Sequence, residues 1–195
     1  MVFTNKVSRC HSRWITAGHS SDTFKKAGEL GANLLFGLIE HNIDQFIEKL
    51  AVYRDALTNN VFDPSTRQVT LMLHTFLAKD YQLAKAIVRE PLKKYLNAFV
   101  HISMNELEKN GQTKRQLANL SNEDVDTFYE QAVDRYLNNN SLIGTPESCQ
   151  NLVSRLHQEG VTEIACLMDF GLPQESIEQG LTYLSELNLK NKKHA

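Results

Sequence analysis

Four short runs along the chain are almost continuously apolar, and longer amphipathic stretches separate them. The runs are Trp14-Ile15-Thr16-Ala17, Asn33-Leu34-Leu35-Phe36-Gly37-Leu38, Val69 to Leu77, and Glu163 to Phe170. Continuous rather than alternating apolar character is what a strand covered on both faces needs. Between the runs, helical spacing takes over. Thr23 to Leu30 reads as a short helix stopped by Gly31. Ile43, Phe46, Ile47, Leu50 and Tyr53 recur on one helical face, which predicts a helix over Ile43 to Leu57. Asn59-Asn60 and Asp63-Pro64-Ser65 predict a turn.

A long helical stretch starts at Tyr81, and Pro91 is expected to break it or to open a new first turn. Ser121-Asn122-Glu123-Asp124 and Thr145-Pro146-Glu147 read as helix caps, and Cys149 follows in the second of these helices. The last helix is expected from Pro173, with Ile177, Leu181 and Leu184 as its apolar stripe. Strands alternating with helices imply a parallel sheet joined by right-handed crossovers. Four strands make either a small open sheet or half of an eight-stranded barrel, which typically needs about 250 residues.

Composition narrows the function classes. The chain has 195 residues, 42% hydrophobic and 23% charged, and a formal net charge of -2. That is ordinary for a globular domain and gives no electrostatic footprint for nucleic acid. No run of about 18 apolar residues predicts a membrane span. The three cysteines, Cys10, Cys149 and Cys166, are odd in number and far apart. They suggest neither a disulfide framework nor a zinc site, so a cytoplasmic location is the simplest expectation. No metal ligand set is expected. The motifs GxSxG, HExxH, GxGxxG and the Walker loop are absent.

Three stretches resemble the luciferase-like, flavin-dependent monooxygenase family, most closely the subgroup found beside natural-product assembly lines. They are Trp14 to Phe24 running on through Ala27 to Leu35; Val69 to Phe76 followed by Ile87 to Tyr95; and Gly144 to Cys149 followed by Gly160 to Gly171. Their order and spacing span nearly all of Trp14 to Asn188. The resemblance implies an α/β fold: the C-terminal half of a (β/α)8 TIM-type barrel, with four parallel strands and a helical insertion before the last strand. The domain would cover 14–188, with the insertion at about 96–143, an irregular lead-in at 1–13 and a basic tail at 189–195. The family's first four strands, with its catalytic histidine, have no counterpart, so no catalytic residue is assigned.

The resemblance also implies that Gly18, His19, Ser20 and Thr23 hold the phosphate of reduced FMN, and that Leu35 and Phe36 lie along the flavin ring. A strand-to-helix turn suits an anion, because free N–H groups and the positive end of the helix dipole meet there. The same residues also read as a plain helix cap, and Leu34 to Leu38 as core strand. His19 and Phe36-Gly37 depart from the family pattern, which expects a small residue and a polar pair. His74 reads as a core histidine with one satisfied nitrogen, and Cys166 as a buried thiol. Asp169 could face a site mouth or cap the turn at Gly171. His101 and the acids from Glu106 to Asp126 lie in the insertion, which resembles the family's substrate lid.

Three functions follow as expectations. The first is a two-component FMN-dependent monooxygenase in truncated or split form, which oxidises an organic substrate with O2 and draws reduced FMN from a flavin reductase. The second is a non-catalytic module or relic that pairs with an N-terminal half-barrel or a second copy of itself. The third is a helical scaffold with a small sheet, which predicts no parallel strand pairing among Ile15, Leu35, Leu71 and Ile164.

Overall fold

The computed structural model describes residues 13–18, 20–38, 42–109, 130, 133–134, 136–138 and 140–192, without the side chains of 99–109 and 191–192. Residues 1–12 with Cys10, His19, the Ser121 to Asp124 cap and Asp126 lie outside the described residues, as do the side chains of His101, Glu106 and Glu108. In chain order the elements are β1 (Trp14–Thr16), α1 (Ser21–Glu29), β2 (Asn33–Gly37), α2 (Ile43–Asn59), a 3-10 turn (Pro64–Thr66) and β3 (Val69–Leu77). Then come α3 (Tyr81–Lys109), β4 (Leu142–Gly144), α4 (Pro146–Gln158), β5 (Glu163–Leu167) and α5 (Gln174–Lys192). Strands β1 to β4 pair in parallel in that order, and β5 also pairs with β3. This parallel α/β sheet excludes the helical-scaffold reading.

Two compact units share the chain, one formed by Met1–Met72 with Leu156–Ala165 and the other by Leu73–Arg155 with Cys166–Ala195. In the first, Ile15 pairs with Leu34, Leu35 with Thr70, and Phe36 with Leu71. Phe36 stacks on Phe46 at 5.4 Å between ring centroids, and Phe24 meets it edge-on at 5.0 Å. These three buried rings join β2, α1 and α2. The two helices cross at Gly28, where a β-carbon would collide with the Tyr53 carbonyl oxygen and sit 2.7 Å from the Ala56 Cβ. Tyr53 donates its hydroxyl to the Ala32 carbonyl at 2.6 Å, and burial pushes that phenol up to about 12. Arg54 reaches the Glu159 carbonyl oxygen at 2.5 Å, and Thr162 bonds both backbone groups of Val69.

In the second unit, Thr75, Phe76 and Leu77 pair with Leu142, Ile143 and Gly144. This fifth strand was not expected. It is only three residues long, ends in glycine and falls within the stretch read as helical insertion. Pro91 does not break its helix either; it sits inside α3. Ala84, Val88, Leu92 and Leu96, spaced by four, are all buried along α3. Continuous packing of that stripe outweighs the hydrogen bond and the roughly 3 kcal/mol that an interior proline forfeits. The basic run expected as a tail from 189 continues α5 through Lys192, and Lys190 pairs with Glu147 of α4.

Not every strand is covered on both faces. β2 and β3 are buried or half-buried throughout, but Trp14 and Thr16 of β1 and Glu163 and Cys166 of β5 are exposed. Cys166 is an exposed residue, although its sulfur is sheltered enough for burial to raise the thiol, so the buried-thiol expectation fails for the residue and holds only for the sulfur.

Helix α2 ends in a Schellman-type turn. The Phe62 N–H bonds the Leu57 carbonyl, and the Val61 N–H bonds that of Thr58. Such a turn needs a left-handed residue, normally glycine, yet Val61 holds φ 63° while 94% exposed. Replacing Val61 with Gly should stabilise the protein by about 1 kcal/mol, raising the thermal midpoint by about 3 °C. No gain in calorimetry would mean the turn carries no strain. Gly28→Ala should act in the opposite sense, lowering stability by about 1–3 kcal/mol in denaturant titration as α1 is forced off α2.

Candidate functional site

The first unit places Gly18, Ser20 and Thr23 in the turn between β1 and α1. Ala17 N–H donates to the Leu35 carbonyl, so the chain leaves the sheet immediately before Gly18. Ser20 takes the N-cap position with extended backbone (φ -85°, ψ 146°), but its side chain makes no capping hydrogen bond. Thr23 instead closes the turn from within, donating its hydroxyl to the Ser20 carbonyl at 2.7 Å and lying 3.2 Å from that of Gly18. The first-turn N–H groups of α1 are thus left without the side-chain acceptor that most such positions recruit. The plain-cap reading of Ser20 loses its hydrogen bond here.

Charge at this helix end is divided. Asp22 lies in the first turn and pairs with Lys26 at 2.8 Å, which holds its carboxyl below the usual range. The pair offsets part of the repulsion that a lone carboxylate would exert on an anion at the same helix end. Leu35 of β2 is half-buried, whereas Phe36 is buried with its ring fixed between Phe24 and Phe46. The structure brings Gly18, Ser20 and Thr23 together and commits the Phe36 side chain to the core.

A second cluster lies in the second unit, where His74 is the core histidine with one satisfied nitrogen that the sequence suggests, though its aromatic partners were not foreseen. His74 of β3 is 2% exposed, and its Nδ1 lies 2.6 Å from the Tyr136 hydroxyl. Tyr95, Tyr136 and Phe170 surround the ring edge-on at 4.6, 5.3 and 5.2 Å. Burial holds the imidazole near 4, so it is neutral at physiological pH, and it raises the Tyr136 phenol above its usual range. The ring tautomer decides whether the phenol or Nδ1 donates in this contact. The other ring nitrogen, Nε2, is buried and meets no partner among the described residues. An orphaned buried polar atom costs about 1–3 kcal/mol. Only the lone histidine in an apolar run hinted at this cluster; its aromatic partners are distant in sequence.

Among the described residues, no group of three or more His, Cys, Asp or Glu side chains could hold a metal ion. None of the described helices is long and apolar enough to cross a membrane.

Residues 8–163 match the family described as luciferase-like monooxygenase, and the chain belongs to that family. No curated protein matches it in sequence. Similar solved structures include the monooxygenase RslO1 from Streptomyces bottropensis, 18% identical with a TM-score of 0.64, covering 95% of this chain and 50% of that one. The oxygenating constituent of 3,6-diketocamphane monooxygenase from Pseudomonas putida, solved in complex with FMN, is 16% identical with a TM-score of 0.60, over 90% and 48% of the two chains. The coenzyme F420-dependent tetrahydromethanopterin reductase from Methanopyrus kandleri is 16% identical with a TM-score of 0.59, over 89% and 50%. The shared fold is that of luciferase-like TIM-barrel proteins, and this chain spans about half the length of each of these three.

The two described cysteines differ in reactivity. Cys149 is buried and its thiol is pushed up to about 11, while Cys166 lies on the exposed side of β5, its thiol raised by burial of the sulfur. At about pH 8, iodoacetamide followed by peptide mapping should modify Cys166 at least roughly tenfold faster than Cys149. Equal rates would show that α4 does not shield Cys149.

Proposed function

We propose that the chain is the C-terminal half-barrel of a flavin-dependent monooxygenase, whose β1–α1 turn binds the phosphate of reduced FMN. The observation that supports this most directly is the helix end at Ser20, which lacks a side-chain cap, at the turn where the family resemblance expects the phosphate. Bound flavin would supply the reduction of O2, and a flavin reductase would supply the reduced cofactor. The N–H groups of Ser21 and Asp22 would receive the phosphate, with the Ser20 hydroxyl as a further donor. Thr23 shapes the turn through its bonds to the Gly18 and Ser20 carbonyls. Leu35, together with the β2 backbone, would sit along the flavin ring. The FMN-bound neighbour favours flavin, while the F420-dependent one keeps a deazaflavin with the same phosphate requirement in view.

Exposure of Trp14 (44%) on β1 and of Cys166 on β5 favours a second reading, in which the chain works as a pairing module. An N-terminal half-barrel or a second copy would cover those strands. The binding and pairing readings are compatible in a split enzyme and separate in a relic.

FMN, riboflavin and F420 should be titrated calorimetrically into the chain alone and into the chain mixed with an N-terminal half-barrel. FMN should bind at least tenfold more tightly than riboflavin, which lacks the phosphate. Ser20→Asp supplies a carboxylate to the same N–H groups, so it should improve the helix cap by about 1 kcal/mol yet weaken FMN at least roughly tenfold. Equal FMN affinity in Ser20→Asp would remove the phosphate site, and no flavin or F420 binding in either arm would leave only the pairing role.

A further inference from the structure

Two exposed aliphatic side chains flank one contact in the first unit. The Phe62 ring packs over Gly31 so closely that a β-carbon there would lie 2.6 Å from it. The chain neighbours of that contact are Leu30, 55% exposed just past α1, and Val61, 94% exposed just past α2. Gly31 and Val61 both hold left-handed backbone, at φ 60° and 63°. Glycine suits that conformation and valine does not. A β-branched residue there is strained, and so exposed a side chain recovers nothing by burial within its own chain. What valine adds over glycine at this position is an apolar surface.

Charge of both signs borders the same place. Arg67 lies over the Phe62 ring, its Cζ 5.4 Å from the centroid, and its Nε is buried without a partner. Among the described residues no carboxylate forms an ion pair with it. Asp63 is engaged elsewhere: hydrogen bonds from the Ser65 hydroxyl and N–H hold its carboxyl below the usual range, and Arg67 adds the least to that. Glu29, beside Leu30, reaches only Lys25, at 3.8 Å and with both side chains exposed. Such a pair is worth little. An unpaired guanidinium and a loosely held carboxylate thus stand around one apolar centre.

A patch of this kind is complementary to itself. A two-fold axis through it sets the apolar centre of one copy on that of another and brings each cation to the other copy's anion. We propose that this face is the contact of a homodimer, in which Leu30 and Val61 meet a second copy of this chain and Arg67 pairs with the partner's Glu29. The patch lies where β2 and β3 begin, whereas the β1–α1 turn lies where β1 ends. The strands are parallel, so the contact leaves that turn free, and it uses neither of the exposed strands β1 and β5. Arg67 is already ordered by its stacking on Phe62, so pairing costs it little freedom. Two aliphatic side chains and one ion pair from each copy make a small interface. The dimer therefore belongs to the weak, transient class, with a dissociation constant of about 10–100 μM.

Sedimentation velocity of the full chain from about 5 to about 500 μM tests this, and the protein should pass from monomer to dimer over that range. Val61→Gly relieves the turn, so it should weaken association at least about tenfold while raising the thermal midpoint. Leu30→Lys suits a helix C-terminus and should weaken association to a similar degree. Arg67→Glu sets acid against acid across the axis, and Glu29→Arg sets base against base, so each should be monomeric alone. Mixed, the two should associate to within about threefold of the unmodified protein, because both cross-pairs are then opposite in sign. Thermal melts show which variants are folded. A chain that stays monomeric at the highest concentration would overturn the proposal. So would association that Val61→Gly and Leu30→Lys leave unchanged, which places the contact on the exposed strands, or folded charge variants that stay monomeric when mixed.

Discussion

Burial of β3 is the constraint on which the remaining structure depends. Its nine residues are buried or nearly so throughout, and each carries backbone groups that water cannot reach. Every neighbour of β3 answers that demand. β2 pairs along Val69 to Met72, β4 along Thr75 to Leu77, and Thr162 closes both backbone groups of Val69 just before β5 begins. The strand contributes Val69 to Met72 to one compact unit and Leu73 to Leu77 to the other. A polar side chain on such a strand must find its partner from a distant element. Thr70 finds Glu163, and His74 finds Tyr136.

What could be read from the sequence follows from the range of the forces involved. β2 and β3 announce themselves because strands buried on both faces must be apolar at every position, and α2 because one face repeats at the helical period. β4 did not, since three residues ending in glycine carry too little pattern to oppose a helical context. Pro91 misled for a related reason: its local cost is fixed and visible, whereas the compensating stripe from Ala84 to Leu96 only matters once packed. At the β1–α1 turn, the positions of Gly18, Ser20 and Thr23 were legible as a strand-to-helix junction. That Ser20 leaves its cap unmade, and that Thr23 turns inward to the Gly18 and Ser20 carbonyls, depends on side-chain rotamers that residue type does not dictate. The Phe36 ring could equally have faced a ligand or the core, and Phe24 and Phe46 settled it.

The start of α1 and His74 Nε2 differ in what can satisfy their polar groups. The N–H groups at the start of α1 are at the surface, where water can serve them, so leaving them uncapped costs little. His74 Nε2 is enclosed by aromatic rings, where an unmet bond is a standing cost to the folded state.

Along α3, Lys85, Arg89 and Lys93 are spaced by four and bond Asn138, Asp134 and Glu130 in reverse order, and that register also bears on how such a chain can diverge. A point substitution in one set removes one rung and leaves the others aligned. A single-residue insertion or deletion within Lys85 to Lys93 of α3 turns everything beyond it by about 100°, carrying half the rungs off the shared face. Length changes in this lineage should therefore gather outside that stretch of α3, while the distances between its rungs stay at four.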